Sequence, residues 1–289
     1  MSFITDSEDG MERITSASSS TVKGLVLLRQ KATKRRQSQS FVIEGDRLVL
    51  DAPSKFIKEL YVTEEALERH REMLKKRKLL DKTVLVSSEI MEKISDTKTP
   101  QGILAVAAQP VYTMQELTAG SSESGAQGKS LLLLMEDIQD PGNLGTMFRT
   151  AEAAGATGII MSRGTVDVFN PKVVRSTMSS IFRQPFLYTE NLTETIRDLQ
   201  EQGIRIMAAC LEGSREYDRA DYRNPCAVVI GNEGNGLSRE VVDLSDERVR
   251  IPMAGKIESL NAAISAGILM YEAARQRRFT GSSGNVLAG

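Results

Sequence analysis

The sequence predicts an α/β protein in two parts, a small mixed domain followed by a larger one built on a parallel sheet. Three observations carry that reading. Strand-like runs alternate with helical stretches along both halves of the chain. Runs such as Leu131 to Met135 are apolar without a break, as suits parallel strands covered on both faces. The segment 118–130, TAGSSESGAQGKS, is small, polar and aperiodic, and reads as a flexible linker. The expected division is a tail over 1–20, a first domain over 21–117, the linker over 118–130 and a second domain over 131–289.

In the first half, Ser19 or Ser20 can cap a helix whose apolar residues Val22, Leu25 and Val26 share a face. Strands are expected at 41–44, 57–63, 83–87 and 102–108, with helices at 46–51, 64–80 and 88–95 between them. The second half repeats the alternation more strongly. Strands are expected at 131–137, 158–162, 185–189, 205–211, 227–231 and 248–253, and helices at 143–154, 171–182, 192–202, 238–244 and 259–278. Ligands in parallel sheets of this kind bind beyond the carboxyl ends of the strands, which directs attention to the residues just after each strand.

Composition narrows the chemistry. No apolar run approaches the ~20 residues of a bilayer span, and the N-terminal residues do not resemble a secretory signal. Cys210 and Cys226 are separated and lie in apolar stretches, which fits core packing in a reduced cytoplasmic compartment. His70 is the one histidine; it lies in a charged helical run and reads as a solvated side chain, so neither a zinc site nor a Ser-His-Asp mechanism is expected. The net charge is −1, but it is unevenly spread. Residues 21–110 carry 18 lysines and arginines against 12 acids, whereas residues 129–289 carry 18 against 20. The surplus gathers in Lys31, Lys34, Arg35 and Arg36 and in 69–82. Such runs are commonly solvated helix faces, but two in one half favour a polyanionic partner.

Three loops stand at strand ends. The first, DIQDPGNLGTMFRTAEAAG (137–155), has a Pro141-Gly142 turn, Asn143 as a helix cap and Arg149 on the helix. Taken alone, this loop is better read as a capping Asn and a surface Arg. The second, GNEGNGLS (231–238), has the glycine order G-x-x-G-x-G and Ser238 as a cap. A dinucleotide fingerprint needs G-x-G-x-x-G and a later acidic residue, which weakens a nicotinamide reading. A phosphate cradle is opposed by Glu233 in its middle. The third, IPMAGKIESLN (251–261), leads to a helix start at Ser259 whose positions Ala262, Ala263, Ala266 and Gly267 are small. Core packing or a close neighbouring backbone explains those residues equally.

Taken in this order, N-L-G-x-x-x-R-T-A-E-A-x-G, G-N-E-G-x-G-L-S and I-P-M-x-G-x-x-E-S-L-N resemble the three motifs of the SpoU/TrmH family of RNA ribose 2′-O-methyltransferases, within the SPOUT superfamily. The resemblance covers roughly 131–278. FVIEGDRLV and TPQGILAV in the first half resemble the family's N-terminal RNA substrate-binding domain. One departure stands out: many relatives carry a Gly-Ala-like pair where this chain has Met178-Ser179-Ser180.

The resemblance implies a SPOUT methyltransferase domain whose parallel sheet carries a deep trefoil knot, against the general rule. It implies S-adenosylmethionine as cofactor. The matching positions are Ala209, Cys210, Leu211 and Gly213, then Ile230, Gly231, Asn232, Glu233 and Gly234, then Ile251, Pro252, Met253, Ser259, Leu260 and Asn261. Arg149 is the matching residue for positioning the 2′-oxygen and stabilising charge on it. Asn143, Glu233, Ser259 and Asn261 match the remaining polar positions. A homodimer is implied, as are RNA contacts from Lys31, Lys34, Arg35, Arg36, Lys172 and Arg175, with Asn170, Ser176 and Arg183 also suited. No DNA or membrane partner is expected. Ribosomal RNA, 23S, with guanosine as the nucleotide, is the favoured target. Transfer RNA and a non-catalytic RNA-binding relative are the alternatives.

Overall fold

The computed structural model describes residues 11–119 and 129–280. It divides into two compact units, one of 1–110 with 167–182 and one of 111–166 with 183–289.

The first unit holds β1 (Arg13–Ile14), α1 (Ser20–Gln30), α2 (Ala32–Ser38), β2 (Ser40–Glu44), α3 (Asp46–Asp51), β3 (Ile57–Val62), α4 (Glu64–Lys76), β4 (Thr83–Val86), α5 (Ser88–Ile94) and β5 (Ile103–Ala108). The strand order is β1-β4-β3-β5-β2. β1, β4 and β3 run parallel, and β5 is antiparallel to β3 and β2. Side chains of Ser19, Thr63 and Ser87 cap α1, α4 and α5, Ser19 being one of the two residues expected to cap α1. The expected tail is corrected in part, since Arg13–Ile14 pair with Leu85–Val86; residues 1–10 lie outside the described residues. The expected solvated His70 is also corrected. Its side chain is only 11% exposed, with Nε2 3.1 Å from Asp46 Oδ1, because α4 lays it against the start of α3.

The two motifs of this unit interlock. Glu44 accepts the backbone N–H groups of Asp96 at 2.8 Å and Thr97 at 3.3 Å. Gln101 Oε1 accepts the N–H of Asp46 at 2.7 Å, at the exposed start of α3. Gly45 has φ +93°, and a Cβ there would lie 2.8 Å from Gln101 Oε1, so glycine is required twice over.

The second unit continues with α6 (Met114–Ala119), β6 (Leu131–Met135), α7 (Pro141–Ala154), β7 (Gly158–Ser162), β8 (Phe186–Thr189), α9 (Leu192–Glu201), β9 (Arg205–Ala209), β10 (Arg215–Glu216), β11 (Cys226–Ile230), α10 (Arg239–Leu244), β12 (Glu247–Arg250) and α11 (Ala262–Thr280), with α8 (Pro171–Ser176) falling to the first unit. The sheet order is β10-β12-β9-β11-β6-β7-β8, and every pairing is parallel. β11 therefore lies between β6 and β9, and chain direction across the sheet reverses there. Leu132, Leu134, Ile206, Ala227 and Val229 bury against Leu192, Ile196 and Leu199 of α9. Among the described residues no helix is long and apolar enough to cross a membrane.

The division differs from the expected one at two places. α6 joins the second unit because Leu117 buries with Leu132, Leu134 and Ile160, in space that Gly158 leaves open. Residues 167–182 join the first unit because Phe169 and Phe182 stack on Phe41, at 4.8 and 5.8 Å between centroids. Most of the expected linker, 120–128, lies outside the described residues. The expected helix over 171–182 ends at Ser176, since Met178 and Ser179 both take left-handed backbone, at φ +51° and +71°. Ser179 is buried and its hydroxyl donates to Asp51 at 3.3 Å.

Candidate active site

Three neighbouring parallel strands, β12, β9 and β11, end side by side, and the loops after them carry the expected cofactor positions. Ala209 closes β9, and the N–H of Cys210 donates to Val249 of β12 at 3.0 Å. Burial pushes the Cys210 thiol up, with Arg248 opposing. Leu211 is exposed and Gly213 takes a left-handed φ of +64°. Ile251, Pro252, Met253 and Leu260 lie in the loop after β12.

After β11 the chain turns sharply. Asn232 and Gly236 exchange two backbone hydrogen bonds, at 3.0 and 2.9 Å. A Cβ on Gly231 would fall 2.2 Å from the carbonyl carbon of Gly236, so no other residue fits. Asn232 Oδ1 accepts the N–H groups of Gly234 and Asn235 at 2.9 and 3.0 Å, which fixes the peptides around Glu233. Ser238 caps α10, as expected.

Glu233 reaches across to the start of α7. Its carboxylate accepts the N–H groups of Gln139 and Asp140, both at 3.1 Å, and the Asn143 amide at 2.9 Å. It takes the place an anion takes at a helix N-terminus. Desolvation pushes its pKa up, and the Asn143 amide with the backbone N–H groups outweighs that, holding the carboxyl below the usual glutamate range. The protein's own carboxylate thus fills the anion seat at the start of α7.

Asn143 passes the linkage on. Its Oδ1 accepts from Asn261 Nδ2 at 2.8 Å, and Asn261 Oδ1 accepts the N–H groups of Ala263 and Ile264 at 2.9 and 3.3 Å. Asn261 therefore caps α11, correcting the expected start at Ser259, and the amide orientations along the chain are mutually consistent. Asn143 is likewise corrected as the cap of α7. That cap is Asp140, whose Oδ1 accepts the Asn143 N–H at 2.8 Å, with Pro141 in the first helical turn.

Glu233, Asn143 and Asn261, from three loops, are thus one hydrogen-bonded set. Arg149 and Ser259 are not drawn into it. Both are exposed and, among the described residues, neither has a side-chain partner. Arg149 lies about 9 Å further along α7 and about 120° around it from Asn143. Sequence reasoning missed Gln139 and Asp140, whose contribution is backbone N–H. The Asp-Pro pair was the available signal for the cap.

Of the expected RNA contacts, Lys31, Lys34, Arg36 and Lys172 are exposed. Arg35 is a correction. It is 3% exposed, bonds Asp167 through Nε and Nη2 at 2.8 and 2.6 Å, and donates to the Leu28 and Arg29 carbonyls. With its donors occupied it is an internal tie. Arg175 is half-buried and paired with Asp96 at 2.8 Å, and Arg183 is paired with Glu152.

Comparisons with known proteins identify the family. Residues 130–271 match the SpoU rRNA Methylase family and residues 19–105 the MRM3-like substrate binding domain. The 23S rRNA (guanosine(2553)-2′-O)-methyltransferase RlmP of Bacillus subtilis is 32% identical over 263 residues, covering 90% of this chain and 98% of that one. The chain belongs to the SpoU methylase family. It is an RNA methyltransferase of the α/β, parallel-sheet kind. A 23S rRNA (guanosine-2′-O-)-methyltransferase, RlmB, of Ralstonia nicotianae is 33% identical, covering 80% of this chain and 92% of its own. The crystal structure of an AdoMet-bound rRNA methyltransferase from Sinorhizobium meliloti superposes with a TM-score of 0.81 at 31% identity, covering 92% of this chain and 98% of that one.

Proposed function

We propose that this methyltransferase acts on a ribose 2′-hydroxyl of 23S ribosomal RNA, at a guanosine, with S-adenosylmethionine as donor. The observation that carries the reading is the Glu233–Asn143–Asn261 linkage at the carboxyl ends of a parallel sheet, in a chain alike over nearly its whole length to guanosine 2′-O-methyltransferases.

The residues fit that cofactor. The glycine turn at 231–236 admits close backbone approach, and its only charge is the Glu233 carboxylate, which suits a cationic ligand better than a phosphate. Ala209 to Gly213, Ile230 to Gly234 and Ile251 to Asn261 would hold it, largely through backbone groups. Bound S-adenosylmethionine supplies a methyl group activated by a sulfonium.

The 2′-hydroxyl is a poor nucleophile: as its oxygen bonds the methyl carbon, the bond from that carbon to sulfur breaks, its electron pair stays on sulfur, and the hydroxyl proton passes to water. Arg149 is suited to orient that oxygen and stabilise its negative charge. A guanidinium offers donors and no acceptor, so Arg149 is not assigned as the base. Asn143 and Asn261, fixed by Glu233 and by the start of α11, hold the polar wall of the site. α7, which carries Arg149, packs beside α11. On α11, Ile264 and Tyr271 are exposed and Ile268 half-exposed, at helical spacing i, i+4, i+7. That apolar stripe supports a homodimer in which Arg149 serves the partner's site. Lys31, Lys34, Arg36 and Lys172 are suited to contact RNA phosphates and Ser259 to contact substrate or cofactor. The trefoil knot of the family and a cytoplasmic location, consistent with free Cys210 and Cys226, belong to the same reading.

Mapping ribose methylation in ribosomal RNA from cells with and without the gene tests it. Loss of one 2′-O-methylguanosine in 23S RNA is expected; an unchanged ribosomal map with a lost transfer-RNA mark would move the substrate.

A further inference from the structure

We propose that Asp137 is a positioning residue for methyl transfer, acting through the loop that carries Glu233. The proposal rests on reading the Glu233–Asn143–Asn261 set as part of the active site. Asp137 follows β6 and takes left-handed backbone, at φ +54°. Glycine takes that conformation freely, and Asn and Asp more readily than other residues.

A reciprocal pair of bonds holds it there. The Asp137 N–H donates to Ser162 Oγ at 2.8 Å, and the Ser162 hydroxyl donates back to Asp137 Oδ1 at 2.6 Å. Ser162 ends β7 and is buried. Gly164 lies close against the same carboxylate, where a Cβ would fall 2.1 Å from Oδ1. The turn after β6 is thus clamped by β7 and the residues that follow it.

The clamp reaches Glu233 by two routes. The Asp137 carbonyl accepts Asn232 Nδ2 at 2.7 Å, and Asn232 Oδ1 in turn fixes the N–H groups of Gly234 and Asn235. Along the chain, the same turn presents the N–H groups of Gln139 and Asp140 to the Glu233 carboxylate. Both the loop that carries Glu233 and the donors that receive it are therefore registered on one residue. None of the side-chain hydrogen bonds of Asp137 goes to Glu233, Asn143 or Asn261, so its effect passes through the loops. A glycine at 137 would keep the turn and lose the side-chain bond from Ser162; an alanine would lose that bond and strain the turn.

The variants Asp137→Asn, Asp137→Gly and Asp137→Ala, made in the full chain, separate these contributions. Steady-state kcat and KM for S-adenosylmethionine on ribosomal RNA are measured with hydrogen exchange at Gly234 and Asn235. Asp137→Asn is expected within about threefold of wild type, because its Oδ1 still accepts from Ser162. Asp137→Ala is expected to lower kcat about 100-fold, raise KM and speed exchange at both amides, with Asp137→Gly between. If Asp137→Ala does not fold, Ser162→Ala removes both bonds of the clamp, together with a 3.4 Å contact to Thr165 Oγ1, and is expected to give the same losses. A folded Asp137→Ala or Ser162→Ala with kcat and KM within about twofold of wild type and unchanged exchange overturns the proposal. Absence of transfer by wild-type protein would count against the enzymatic reading instead, and exchange at Gly234 and Asn235 would then decide the clamp by itself.

Discussion

Glu44 and Glu233 each sit at or just beyond the end of a buried strand, and each carries a carboxylate into a neighbouring loop. Glu44 accepts two backbone N–H groups, from Asp96 and Thr97, and the Thr97 hydroxyl. Glu233 accepts two backbone N–H groups, from Gln139 and Asp140, and the Asn143 amide. The bonding is alike and the surroundings are not. Around Glu44 the neighbouring polar groups are occupied internally, with Gln101 on the Asp46 N–H and Gly45 N–H on the Ile103 carbonyl. Around Glu233 the linkage runs outward through Asn143 to Asn261, and Arg149 on the same helix has no partner among the described residues. A carboxylate linking two loops is architecture where its neighbours are consumed. It becomes part of a site where polar groups remain for a ligand.

The largest expected effect breaks the comparison open at its unpaired end. Arg149→Ala should lower methyl transfer by about 10³-fold and leave the thermal midpoint unchanged, because nothing in the fold leans on an exposed, unpaired guanidinium. Near-normal turnover by this mutant, measured with tritiated S-adenosylmethionine, would remove Arg149 from the mechanism.

Truncating the two glutamates sharpens the contrast. Glu233→Ala should lower kcat about 100-fold and cost about 1 kcal/mol or less of stability, since the group is exposed. Glu44→Ala should cost about 1–3 kcal/mol by stranding backbone donors, while the folded fraction turns over normally. Denaturant melts with activity per folded molecule check both. Equal catalytic losses would show that the first unit matters to the chemistry as directly as the second.

The smallest effect concerns acid. The folded-state pKa of Glu233 lies below its unfolded value, so the folded state binds fewer protons. Its contribution is complete at neutral pH and is lost as pH falls through and below the ordinary glutamate range. The stability gap between wild type and Glu233→Gln should therefore close on acidification. A gap that widens would mean the carboxyl is destabilised by its surroundings.

Periodicity and caps located nearly every strand to within a few residues, because an unbroken apolar run such as Leu131 to Met135 has little option but a covered strand. The three loops were legible as a set through their residue types and order. Their partners were not. Asn143 reads as a cap from its neighbours, yet Asp140 holds that place and frees the Asn143 amide for Glu233 and Asn261, some 90 and 118 positions away. Arg35 sits in a basic run that reads as solvated, yet Asp167 lies across from it, 132 positions along the chain. By itself the sequence determined the local conformations and the kinds of chemical group at each strand end, since both depend on neighbours a few residues away. Which of those groups meet, which are consumed and which stay open was decided by the tertiary structure alone. The order in which parallel strands pack brings distant loops together, and pairing distance along the chain leaves no mark in local pattern.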